Sequence, residues 1–131
     1  MSWCAYRHGQ EKAFDTPLSL TITPELLAAA YEYLRVSKPF CRWKLPHADE
    51  IQFHVIRAKD KHGDYSKNID HIIRVSESTI GHTDGLMKVL AHEMIHLHQC
   101  ELGDSANHNP EFTKCAKSIC KEHGWSLKDF V

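Results

Sequence analysis

The feature that most constrains this chain is the run Leu86-Met87-Lys88-Val89-Leu90-Ala91-His92-Glu93-Met94-Ile95-His96, which sets His-Glu-x-x-His inside an apolar pattern of helical period. Residues four apart on a helix sit one above the other, so His92 and His96 present two imidazoles to one point in space. Two neutral imidazoles converging in this way suit zinc, which takes nitrogen or sulfur ligands at about 2.0–2.3 Å. Glu93 is rotated about 100° from His92 and about 60° from His96, given the pitch of the helix. Its carboxylate misses the metal but reaches a water held there, the position of a general base in a metallohydrolase.

Eleven histidines make a chance His-Glu-x-x-His less rare than usual, so the surroundings must carry the assignment. At about 100° per residue, Leu86, Leu90, Met94 and Leu97 fall on one side of the helix and the histidine pair nearly opposite. This predicts a core-facing helix whose histidines turn into a cleft. The competing reading is a pair of solvated histidines on an amphipathic surface helix. A catalytic zinc needs three protein ligands and an open fourth position. The extended metzincin pattern would require Gly in place of Gln99 and His in place of Leu102, and is excluded. The helix is expected to end near Glu101-Leu102-Gly103, with Gly as its C-terminal stop. After a short polar loop, Asn107-His108-Asn109-Pro110-Glu111-Phe112 opens another helix, with Asn109 as N-cap and Pro110 in the first position. His108 then sits on a tight loop folding back over the first helix, which makes His92, His96 and His108 a facial set. Glu101, Asp104 and Glu111 are weaker candidates for the third ligand. Glu111 is alternatively placed to hydrogen-bond a zinc histidine from outside.

His-Glu-Met-Ile-His followed by His-Asn-Pro-Glu-Phe resembles the SprT-like metalloproteases, whose eukaryotic members include the Spartan DNA–protein crosslink proteases. Ile72-Ile73-Arg74-Val75-Ser76-Glu77 is similar to the strand that leads into that family's active-site helix. The likeness covers about the last two-thirds of the chain. It implies a zincin-like α+β domain binding Zn2+ through His92, His96 and His108, with Glu93 as catalytic acid/base. Asn109 stands where the family often has Gly, and no zinc ribbon or nucleic-acid-binding tail is found.

At 131 residues the chain is expected to be one domain, with residues 1–19 a packed or frayed arm bearing Trp3, Tyr6 and Phe14. Its net charge of −1 offers no global electrostatic case for nucleic acid, so a DNA partner rests on the family resemblance alone. Below about pH 6.5 the histidines make it cationic, and zinc binding should fail there. The five cysteines form no CxxC pair, the residues Met1 to His8 lack the apolar run expected of a signal peptide, and no stretch approaches a membrane span. A reducing, cytoplasmic setting is expected.

Taken in order, Thr23-Pro24-Glu25 opens a helix with its apolar stripe at Leu26, Leu27, Ala30, Tyr31 and Leu34, running to about Val36. Phe40, Trp43 and Leu45, interleaved with Arg42 and Lys44, suggest a short edge strand or extended loop; such a run can also stack on single-stranded nucleic acid. Ile51 to Ile56 predicts a half-buried strand with His54 solvated. Asp60 to Asp64 has the composition of a turn. Ile69 to Ser76 predicts a second strand, with His71 and Arg74 on its rim. At a sheet edge this strand could pair with extended substrate backbone. His82 and His98 are expected at the surface. The last helix runs from Pro110 to about Glu122, with Trp125 and Leu127 tucking back as a closing contact.

The fold expected is α+β: an N-terminal helix and a small, mainly antiparallel sheet supporting the HExxH helix, with a C-terminal helix closing the zinc corner. The function expected is zinc-dependent hydrolysis of peptide bonds in a protein or peptide substrate. Tyr65 and Arg74 are candidate donors to the developing oxyanion. The alternative is a non-catalytic, zinc-stabilised module binding protein or nucleic acid, which would need a fourth protein ligand.

Overall fold

A computed structural model describes residues 21–104 and 107–130. The expectations for the N-terminal arm and for Cys4 lie outside the described residues. Helix α1 (Pro24–Arg35) starts as its sequence requires: the Thr23 hydroxyl accepts from the Leu26 amide at 3.1 Å and Pro24 fills the first turn. Leu27, Ala30, Tyr31 and Leu34 form its buried stripe. The chain then makes a 3-10 turn at Phe40–Arg42 and another at Ala48–Glu50 before strand β1 (Ile51–Ile56).

The short edge strand or extended loop expected over 40–45 is therefore replaced by a 3-10 turn at Phe40–Arg42. The spacing explains the misreading. Three residues per turn bring Phe40 and Trp43 to the same side, where their rings meet edge to face with centroids 4.9 Å apart. Trp43 also stacks on His98, centroids 4.5 Å apart and planes 13° from parallel. The indole face that nucleic acid would need is thus used within the fold, and His98 is half-buried beneath it rather than at the surface.

Strands β2 (Gly63–Lys67) and β3 (His71–Ser76) complete a mixed sheet of order β1-β3-β2. β3 is central, parallel to β1 (Ile51 opposite His71) and antiparallel to β2 (Gly63 opposite Val75). One of the two pairings is therefore parallel, within the α+β class expected. The turn expected at 60–64 gives way to β2 at Gly63. Its residues carry no alternation of their own; pairing with β3 and contact with a helix create the strand. β3 has neighbours on both sides, so the strand edge open to a peptide beside the HExxH helix belongs to β2.

Helix α2 (Thr83–Glu101) packs on β2 and β3, with α1 alongside, and the inward face of β3 buries Ile73 and Val75 against it. Leu86, Leu90, Met94 and Leu97 are all buried as predicted, and Ala91, Glu93, Ile95 and Gln99 join them. Helix α3 (Pro110–His123) is capped by Asn109, whose side chain accepts from the Phe112 amide at 3.0 Å, and stops at Gly124, where φ is +74°. A short turn, α4 (Leu127–Phe130), returns over α2 and α3 and buries Phe130. No helix of the described residues is long and apolar enough to cross a membrane.

Gly63 lets β2 lie so close to α2. A Cβ there would stand 2.6 Å from the Arg74 carbonyl oxygen and 2.9 Å from Val89 Cγ1, inside contact distance of a backbone atom that cannot move alone. Gly63→Ala is expected to cost about 1–3 kcal/mol by forcing strand and helix apart. Urea unfolding checks this, and a loss under about 0.5 kcal/mol, the range of an ordinary surface change, would show that the strand accommodates a side chain.

Candidate metal centre

The register of α2 brings His92 and His96 one turn apart, with ring centroids separated by 5.2 Å. Gly103, at φ +76°, reverses the chain after the helix, and the loop returns His108 to within 5.0 Å of the His92 ring and 5.1 Å of the His96 ring. One potential ligand atom from each of the three lies within 4.8 Å of the other two. Phe112, buried in the first turn of α3, is the floor beneath them: its ring lies 4.9, 5.0 and 4.3 Å from those of His92, His96 and His108. The apolar position that begins the last helix is therefore also a spacer for all three imidazoles.

The donor set fits a divalent metal. His92 Nδ1 faces the Phe130 carbonyl oxygen at 3.4 Å and His96 Nδ1 faces Gln99 Oε1 at 3.0 Å, which leaves both Nε2 atoms for an ion. Burial holds His92 neutral, its pKa pushed down to about 4, and lowers that of His96. The boundary near pH 6.5 expected from free imidazole is thus moved downward for both. His92 and His96 are half-buried and His108 is exposed, so the cluster opens to solvent on one side. Among the described residues no other His, Cys, Asp or Glu joins it. Glu101 instead approaches His71 Nε2 at 3.4 Å, Asp104 is bonded by Asn109, and Glu111 is exposed. The outer partner of a site histidine is Gln99, not Glu111.

Glu93 is 6% exposed, on the wall of the cleft between α2 and β2. Burial, reinforced by Asp64 and opposed by Lys61, pushes its carboxyl up to about 8. A dication at the histidines would favour the carboxylate and draw that value back down. The cleft has a volume of about 310 Å³, with Gly63, Asp64 and Tyr65 of β2 facing the histidines. A second cavity of about 290 Å³, lined by His62, Lys88, Val89 and Asp129, shares Gly63, His92 and Glu93 with it.

Of the two candidate donors, Tyr65 lines the cleft, but its hydroxyl is bonded to His71 Nδ1 at 2.6 Å. Arg74 is engaged with Asp64 Oδ1 at 3.0 Å and Ser66 Oγ at 3.2 Å. His71 is buried, not on the rim. His82 is exposed, as expected. Gln99, Phe112 and Phe130 are partners of the site beyond those expected from the sequence. Only Gln99 carried a local signal, three residues beyond His96 and so on the same side of the helix.

The metal-free chain has a pH dependence that follows from these shifts. The folded state keeps the Glu93 proton to about pH 8, whereas the unfolded chain releases it near 4.5, so stability falls as pH rises through that interval. His92 acts oppositely: the unfolded chain gains a proton near 6.5 and the folded one near 4, so stability falls as pH drops between them. Above the His92 window Glu93 acts without that opposition. Urea unfolding in the presence of chelator should show a loss of about 1 kcal/mol between neutral pH and pH 8. Glu93→Gln should flatten the slope, and an equal slope in the variant would assign it elsewhere.

Three histidines on a HExxH helix and its following loop, over a small mixed sheet, make a site that could hold a metal ion. The chain belongs to the SprT-like family, which it matches over residues 30–128, and that match places the site in a metalloprotease-type domain. No curated protein matches it.

Proposed function

We propose that this protein is a zinc-dependent peptidase in which His92, His96 and His108 hold the metal and Glu93 is the general acid/base. The observation that carries this is the buried Glu93 carboxylate beside a three-histidine cluster that is open to solvent and has no fourth protein ligand among the described residues. A structural zinc is normally enclosed by four protein ligands, which argues against the purely stabilising module. Zinc bound here supplies a Lewis acid for the scissile carbonyl and makes water acidic enough to be a nucleophile near neutral pH. Glu93 takes the proton of the attacking water and delivers it to the departing amine. Its burial keeps bulk water away and makes that transfer local. Extended substrate lies along β2, where main-chain pairing is indifferent to side-chain identity. The free thiols of Cys41, Cys100, Cys115 and Cys120 fit a reducing, cytoplasmic setting.

The test is metal analysis with X-ray absorption on purified protein, alongside casein cleavage with and without chelator. One zinc bound by three nitrogens plus water, and cleavage abolished by chelation, is the expected result. Four protein ligands and no cleavage would reject the enzymatic reading. Running the assay with and without single-stranded DNA over a salt series separates a DNA-stimulated protease from a DNA-independent one.

A further inference from the structure

We infer that Asp104, Asn109 and Gln99 form an oriented hydrogen-bond relay that fixes the tautomer of His96 and docks the His108 loop by the same bonds. The inference deepens the proposed function, since the orientation matters because His96 is there assigned to the metal. It starts from donor and acceptor capacity. An ionised carboxylate only accepts, whereas a primary amide has one donating and one accepting end. The Asp104 oxygens lie 3.0 and 3.1 Å from Asn109 Nδ2, so the Asn109 amide must turn its NH2 toward Asp104. Asn109 Oδ1 then faces the other way, accepting from the Phe112 amide at 3.0 Å and from Gln99 Nε2 at 3.1 Å.

Gln99 is only 2% exposed, and its orientation is over-determined. Nε2 faces three oxygens, Asn107 O at 3.0 Å, Asn109 Oδ1 at 3.1 Å and Asp104 Oδ2 at 3.3 Å. A reversed amide would set its oxygen against all three, at the cost of an unsatisfied buried group. Oε1 is thereby aimed at His96 Nδ1, 3.0 Å away. Because that oxygen can only accept, Nδ1 carries the proton and Nε2 keeps its lone pair directed at the centre. Asp104, the Phe112 amide and the Asn107 carbonyl all impose the same direction on this run of bonds.

The same atoms span the bend between the two halves of the site. Asn107 and Asn109 flank His108, and both are held by Gln99 of α2. Gln99 is thus a positioning residue for two histidines.

The experiment is 15N NMR of the histidine rings in the metal-free full chain at neutral pH, with zinc affinity measured by chelator competition. Wild type is expected to show His96 protonated at Nδ1. Gln99→Met, which removes the acceptor facing Nδ1, should populate both tautomers and weaken zinc by about 10–100-fold, the usual effect of losing an outer partner of a metal histidine. Asp104→Asn leaves the Asn107 carbonyl and the Phe112 amide to hold both amides, so it should keep the Nδ1 tautomer. Should Gln99→Met fail to fold, the wild-type tautomer alone decides. His96 protonated at Nε2 in wild type overturns the relay, as does a folded Gln99→Met with tautomer and zinc affinity unchanged. The ring measurement needs neither metal nor turnover. A wild-type chain that takes up no zinc but keeps the Nδ1 tautomer, lost in Gln99→Met, would remove the proposed function and leave the relay standing.

Discussion

Glu93→Gln is expected to keep zinc at one equivalent while peptide hydrolysis falls on the order of 10²–10⁴-fold, the range a positioned proton carrier supplies. The substitution is nearly isosteric, so the wall of the cleft keeps its shape. It removes the carboxyl assigned to accept the water's proton beside the histidines. It also removes a buried carboxyl whose proton is held to about pH 8, so the metal-free variant should be more stable than wild type at that pH. The two outcomes have opposite signs, lower turnover with higher stability, and no general damage to the fold produces both. Retention of full hydrolysis would show that the proton goes elsewhere.

His108→Ala is the second large effect. His108 is the exposed member of the cluster, on a loop rather than within a helix, and its loss opens no internal cavity. Metal-free stability should change by less than about 1 kcal/mol, as for most exposed positions. Zinc affinity should drop by more than the 10–100-fold typical of an outer partner, because an assigned ligand is removed. Metal content measured after dialysis at neutral pH decides the matter. Unchanged content would eliminate His108 as the third ligand and require a substitute from the same loop.

Elements governed by local chemistry were readable from the chain alone. Thr23-Pro24 and Asn109-Pro110 mark helix starts because the cap and the first-turn proline act within four residues. The α2 stripe was readable because its period belongs to the helix itself. β2 was not, since Gly63-Asp64-Tyr65-Ser66-Lys67 becomes a strand only through β3 and through an approach to α2 that glycine permits. The run from Phe40 to Leu45 misled because apolar residues two and three apart fit an extended strand nearly as well as a 3-10 turn.

The candidate site divides along the same line. The i, i+4 pairing of His92 and His96 is a property of one helix, and a histidine just before the next cap could be proposed to join them. What surrounds those rings depends on tertiary proximity. The carbonyl on His92 comes from a residue 38 positions away. Phe112 reads in sequence as an ordinary stripe residue, and His98 reads as exposed until Trp43 is laid over it.

Phe112 has one further consequence. A single ring belongs both to the packing between α2 and α3 and to the support of all three imidazoles, so helix docking and ion retention share a free-energy term. An ion that binds only the folded chain adds RT ln(1 + [L]/Kd), about 4 kcal/mol when free ion exceeds the dissociation constant a thousandfold. On the proposed zinc chemistry, depletion of the ion would withdraw that increment from the joint between the two helices. The chain's lifetime, and not only its turnover, would then follow the local supply of zinc.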